Sequence, residues 1–230
     1  MKKTMFMSLL ILGTIFDLIG QDGCSKYYTM TDGSFYEYTL YNKKGKQDGV
    51  TRYKVTEVTT NGSAVTATLD IKLIDKKGKE VYNTNYSYTC EDDIIKIDYK
   101  SLFPAQMMQQ YANMEMDITG SDIEIPNNLN VGKELANAHV AIDMNMAGMN
   151  MNITVTMTDR KVENKETITT PVGSFDCYVI AEKNTSKTMG ITNEMNTKLW
   201  LAEGIGMVKQ EIYKKNGDLI SKTELTKHSK

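Results

Sequence analysis

Between Asp143 and Met157 the chain reads DMNMAGMNMNITVTM, and five of these fifteen residues are methionine: Met144, Met146, Met149, Met151 and Met157. Thioethers at such spacing suit three kinds of chemistry. They coordinate Cu(I), repack around varied apolar guests, or simply fill a core. Other reactive groups are few. There are two histidines, His139 and His228, and no G-x-S-x-G, H-E-x-x-H, G-x-x-x-x-G-K-[ST] or G-x-G-x-x-G pattern. The acids Glu91-Asp92-Asp93 and Asp122/Glu124 could serve as glycosidase carboxylates, but acids beside strand ends are usually solvated. The expectation is that the protein is not an enzyme and holds no cofactor or metal.

The elements that position these residues decide among the three. A hairpin centred between Ala147 and Gly148 opposes Met146 to Met149, Met144 to Met151, Ile142 to Ile153 and Val140 to Val155. All eight share one face, and a one-residue slip would mix them with Asn145, Asn150, Asp143 and Asn152. Alanine resists the positive φ of a two-residue type I′ turn, so a four-residue loop from Met146 to Met149 is the alternative. His139 has the opposite parity, which argues against metal on the methionine face. Core filling and an apolar ligand lining both stay open.

Period-two alternation runs through the chain. In SAVTATLDIKL, Val65, Ala67, Leu69, Ile71 and Leu73 alternate with polar residues, the pattern of a half-buried strand. Strands are expected at about 34–42, 50–59, 63–73, 80–90, 94–99, 137–146, 149–159, 162–169, 176–188, 192–201, 206–214 and 218–226. Asn61-Gly62, Lys44-Gly45, Lys77-Gly78 and Asn216-Gly217 supply turns, and the repeated KKGK reads as solvated hairpin turns. Tight turns in succession imply an antiparallel meander. One segment differs: FPAQMMQQYANMEM predicts a short helix over 104–113, with Pro104 in its first turn and an apolar stripe of Met107, Met108, Tyr111 and Met114. Leu199 and Leu201 flank Trp200, so that strand is expected to be covered on both faces.

The 230 residues are 40% hydrophobic and 24% charged, with three prolines, which suits one globular domain. A formal net charge of −2 gives no case for nucleic acid. Lys2 and Lys3 followed by an apolar run to Ile19 read as a secretory signal over 1–23, leaving a β-rich domain over 24–230. Export to the periplasm, envelope or medium permits a disulfide. Of Cys24, Cys90 and Cys177, a Cys24–Cys90 bridge tying down the N-terminus is expected. Acylation of Cys24 is the alternative, and only that would associate the protein with a membrane.

Two segments carry a resemblance. ITTPVGSFDCYVI at 168–180 resembles a T-P-x-G-x-F/Y-D/E-C motif, and KLWLAEGIGMVKQEIYKKNGDLI at 198–220 resembles W-x-A-x-G-x-G-x-V-K. Both are similar to the TapB-like family of uncharacterised exported β-rich proteins of Bacteroidota. That resemblance implies a fold like the half-barrels of periplasmic lipoprotein carriers and no catalytic residues. The expected fold is therefore mainly β, a strongly curved antiparallel sheet or half-barrel with one short helix against its concave face. The expected function is non-enzymatic binding or carriage of an apolar, lipid-like molecule between helix 104–113 and the sheet. Met107, Met108, Tyr111, Met114, Val140, Ile142, Met144, Met146, Met149, Met151, Ile153 and Trp200 are the candidate groove residues. A structural or protein-interaction module with a fully packed core is the alternative.

Overall fold

A computed structural model describes residues 24–102, 116–146 and 149–230 (the side chains of Leu102, Met146, Met149 and Asn150 apart). Its strands are β1 (Phe35–Asn42), β2 (Gln47–Asn61), β3 (Ala64–Asp75), β4 (Glu80–Glu91), β5 (Ile94–Ile97), β6 (Met116–Ser121), β7 (Ile123–Pro126), β8 (Ala138–Met146), β9 (Met149–Thr170), β10 (Gly173–Thr188), β11 (Ile191–Ala202), β12 (Gly206–Lys214) and β13 (Leu219–Ser229). A 3-10 turn, Tyr99–Leu102, follows β5. The expected helix over 104–113 lies outside the described residues.

All thirteen strands form one sheet in the order β6-β8-β9-β10-β11-β12-β13-β1-β2-β3-β4-β5-β7. Every pairing is antiparallel, and the sheet curls almost into a barrel. β13 pairs with β1 in mid-sheet, so the cut does not fall between the terminal strands. It falls at β6 and β7, which are consecutive in the chain. Ile118 opposes Ile142 of β8, whereas Ile125 opposes Ile95 of β5. The chain thus crosses the seam at Asp122, changing partner from one sheet edge to the other. Asp122 Oδ1 accepts from the Tyr99 amide at 3.2 Å. Gly120 suits this crowded place, because a Cβ there would lie 2.5 Å from the His139 carbonyl oxygen and 2.8 Å from the Tyr99 ring.

The alternation in β3 works as the sequence implies: Ala67, Leu69, Ile71 and Leu73 are buried and their polar neighbours are half-buried. Ala67, Leu69 and Ile71 join Val55, Tyr88, Ile95, Ile125, Val162, Ile180 and Leu201 in the main core. The two KKGK turns are near copies. Asn42 Oδ1 accepts from the amides of Lys44 and Lys46, and Asp75 Oδ1 accepts from those of Lys77 and Lys79. Gly45 and Gly78 take the positive φ each turn needs.

Two features depart from expectation. β6 and β7 are not among the expected strands; they are four to six residues long and alternate over only three or four of them. The expected strands 149–159 and 162–169 are one strand of 22 residues. Asp159, at φ 53, absorbs an extra residue as a bulge, and pairing with β10 resumes beyond it.

Residues 24–34 strap one end of the barrel. Cys24 is bonded to Cys90 on β4, as expected. Tyr27 is fully buried in the main core. The Asn127 side chain donates to the Cys24 carbonyl and accepts from the Lys26 amide. The Tyr88 hydroxyl donates to the Thr29 carbonyl at 2.6 Å. Gly204, at φ 70, donates its amide to the Lys26 carbonyl, and Gly206 leaves room for the Tyr28 ring.

Candidate functional site: a methionine face above a buried ion pair

The β8–β9 register is the one its pattern dictates, from Ala138 opposite Met157 to Met146 opposite Met149. Val140, Ile142, Met144, Met151, Ile153 and Val155 form an apolar cluster, all less than 10% exposed. Met116 and Ile118 of β6 extend it to the sheet edge at the seam, opposite Met144 and Ile142, and Tyr99 packs against it. The side chains of Met146 and Met149, and the whole of Met107, Met108, Tyr111 and Met114, lie outside the described residues. His139 is exposed on the opposite face, its Nδ1 3.0 Å from Ser121 Oγ.

Directly opposed residues share a face, so the register carries the methionine face onward. Ile153 opposes Thr188, Val155 opposes Ser186, and Met157 opposes Asn184, which in turn opposes Met195. Ser186, Thr188 and Met195 are only half-buried. This part of the concave face is therefore more open than the main core. Two surface depressions lie elsewhere. One of about 430 Å³ is lined by Phe35, Val172 and Thr226–Ser229. Another of about 220 Å³ lies beside Lys96, Asp98 and Asp122.

A polar belt divides the methionine face from the main core. Along β10, Tyr178 and Ile180 point to the main core, and Glu182 and Asn184 follow at the same parity. Glu182 opposes Thr197, and Asn184 Nδ2 donates to Thr197 Oγ1 at 2.9 Å. Arg160 lies beside them, its side chain 1% exposed, with Nε 3.5 Å from Glu182 Oε2. Its Nη1 donates to the carbonyls of Ala136 (2.6 Å) and Glu124 (3.2 Å). Burial pushes the Glu182 carboxyl above the usual carboxylate range, and Arg160 and Asn184 only partly offset this. Arg160 thus ties β9 to β7 at the seam while holding the buried charge of β10. Sequence inspection missed this pair. Arg160 sits in the charged run DRKVENKE, which gives no burial signal. Glu182 did leave one, since it continues the parity of the half-buried Tyr178 and the buried Ile180.

Trp200 is not brought to the methionine face. It lies on the other side of β11 from Leu199 and Leu201, in a cluster with Cys177, Val179, Ala202 and Val208. Its Nε1 donates to Glu166 at 2.6 Å, and Lys209 Nζ stands 4.1 Å from its ring centroid. With Leu201 fully buried on the opposite face, that strand is covered on both sides, as expected. Cys177 is a free buried thiol, pushed up to about 11 by burial.

A family model described as DUF3108-like matches residues 31–225. No curated protein matches the sequence. Among solved structures, a Bacteroides fragilis protein described as exported and as having a YmcC-like fold superposes with TM-score 0.76 at 20% identity, over 90% of this chain and all of its own. A Parabacteroides distasonis protein described as a lipoprotein gives TM-score 0.76 at 24% identity, over 89% and 99% of the two chains. At these identities the likeness is one of fold.

Proposed function

This chain belongs to the DUF3108-like family, and from that premise we propose that it is an exported, non-enzymatic protein that binds or carries an apolar, lipid-like molecule. The molecule would lie over the methionine face of β8 and β9. The observation that carries this reading is the separation of the two apolar regions. Met144, Met151 and their aliphatic neighbours form a cluster distinct from the main core, at the more open part of the concave face. Unbranched thioethers adapt to guests of different shape.

The scarcity of catalytic groups supports a non-enzymatic role. His139 is exposed on the wrong face, and the Cys177 thiol is buried and protonated at neutral pH. The TapB-like group is the narrower kinship we propose, on the motifs at 168–180 and 198–220. A lipid thioether on Cys24 would need the sulfur that here bonds Cys90, so bridge and lipid anchor exclude one another.

Native mass spectrometry of protein isolated from its own envelope is expected to show a retained lipid. Clean apo protein, indifferent to a panel of acyl ligands, would sink the reading. It would favour an interaction module with a packed interior, which the filled main core already supports.

A further inference from the structure

The strap occupies one end of the barrel, and the topology gathers another set of turns at the opposite end. The β1–β2, β3–β4, β10–β11 and β12–β13 turns all lie there, with the Met146/Met149 end of the β8–β9 hairpin. Their charge is one-sided. The KKGK turns at 43–46 and 76–79 bring three exposed lysines each, 214–218 brings Lys214 and Lys215, and Lys187 flanks the fourth turn. Asp48, Asp75, Glu80, Glu194 and Asp218 oppose them, Glu194 pairing with Lys215 at 2.7 Å, so the lysines outnumber the acids. The strap end is mixed: Glu91-Asp92-Asp93, Asp32 and Glu203 are there, but Lys26 pairs with Glu203, Lys96 pairs with Glu91, and Lys227 and Lys230 close β13. In a chain of net charge −2, this lysine-rich set of turns thus carries a local excess of lysine.

The lysine end also carries the most exposed large apolar side chains among the described residues, Met189 (71%) and Ile191 (66%). Met189 has φ 48 and Gly190 φ 80, a type I′ pair in which asparagine or glycine is the ordinary first residue. Methionine adds strain there and buries nothing within the fold.

We propose that this end docks on an anionic lipid surface, with Met189 and Ile191 entering the interface and the turn lysines facing the headgroups. This goes beyond an interior ligand and does not require one: vesicle binding by a protein with a clean apo interior leaves it standing.

The test is co-sedimentation of the mature protein with vesicles of phosphatidylcholine alone or with added phosphatidylglycerol. Binding is expected only with the anionic lipid, and it weakens as salt rises. Reversing Lys43, Lys44, Lys76 and Lys77 to Glu should lower affinity by roughly ten-fold or more. The double variant Met189→Asn, Ile191→Thr relieves the turn and should fold, yet lose on the order of ten-fold. Circular dichroism confirms folding of each variant. No binding by the wild type, undiminished binding by the charge-reversed variant, or binding only to an acidic protein would overturn the proposal.

Discussion

Arg160 and Glu182 meet where water is absent, so each one's charge is tolerated only because of the other. Removing one partner of a buried pair typically costs about 3–5 kcal/mol, whereas replacing both with apolar groups is often neutral. Arg160→Met should therefore destabilise strongly, more so because the Ala136 and Glu124 carbonyls lose their donor. Adding Glu182→Leu should recover part of that loss, and urea midpoints of the two single variants and the double give the coupling directly. Additive losses would mean that the pair is not coupled. Nearer the surface, Glu37, its side chain 7% exposed, lies between the more exposed Arg52 (2.8 Å) and Lys227 (3.0 Å). Burial would raise its pKa, but hydrogen bonds from Arg52 and Lys227 outweigh this and hold it below its ordinary value of 4.5. A depressed folded pKa means that the unfolded chain takes up the proton first as pH falls. The contribution is present in full above pH 4.5 and is lost as pH falls through the folded pKa. Glu37→Gln should thus cost on the order of 1 kcal/mol at pH 7 and less near pH 3, as read from urea melts at both values. The bridge between Cys24 and Cys90 was legible in the sequence as a tie for the N-terminal segment. Arg160 was not, because burial of a charge is decided by the seam, which no local pattern announces.

At the scale of elements, alternation carried most of the information. It placed eleven of the strands and fixed the β8–β9 register to the residue. The register could be read because one face is wholly apolar and the other polar, so a slip would bury Asn145, Asp143 and Asn152. It also gives a sharp contrast between neighbours. Ile142 is 1% exposed, and Ile142→Ala should cost about 2–5 kcal/mol. His139, three residues away and outward-facing, should tolerate alanine within about 0.5 kcal/mol. Comparable losses at the two sites would mean that the hairpin sits in another register. What alternation could not show is where a strand continues through a bulge. Asp159 takes a positive φ that periodicity has no way to mark, and so β9 read as two strands. β6 and β7 alternate over only three or four residues, too briefly to stand out, and they are strands because two sheet edges need closing.

At the scale of the whole molecule, closure is the design problem. A thirteen-strand antiparallel sheet has two exposed edges, and exposed edges invite pairing with other chains. Here β6 and β7 bring those edges together, Arg160 spans the join, and the strap covers one end. Cys24–Cys90 fastens the strap across a separation of 66 residues. Holding such a loop closed in the unfolded chain is worth about 4 kcal/mol in the chain-entropy account, and measured values more often run at about 2–4 kcal/mol. Because the bridge joins the strap to β4 within the main core, the loss on reduction should fall on the global transition and not only on a frayed end. Reduced protein, or Cys24→Ser with Cys90→Ser, should therefore unfold as one cooperative step at lower urea. The sole tryptophan makes this visible: Trp200 lies on β11, well along the sheet from β4, and is 5% exposed, so its emission moves to the red only when the barrel opens. If the tryptophan transition stays in place while only hydrogen exchange at residues 24–34 speeds up, the strap is a local tie and closure rests on the seam alone. If both shift together, strap and seam act as one closure.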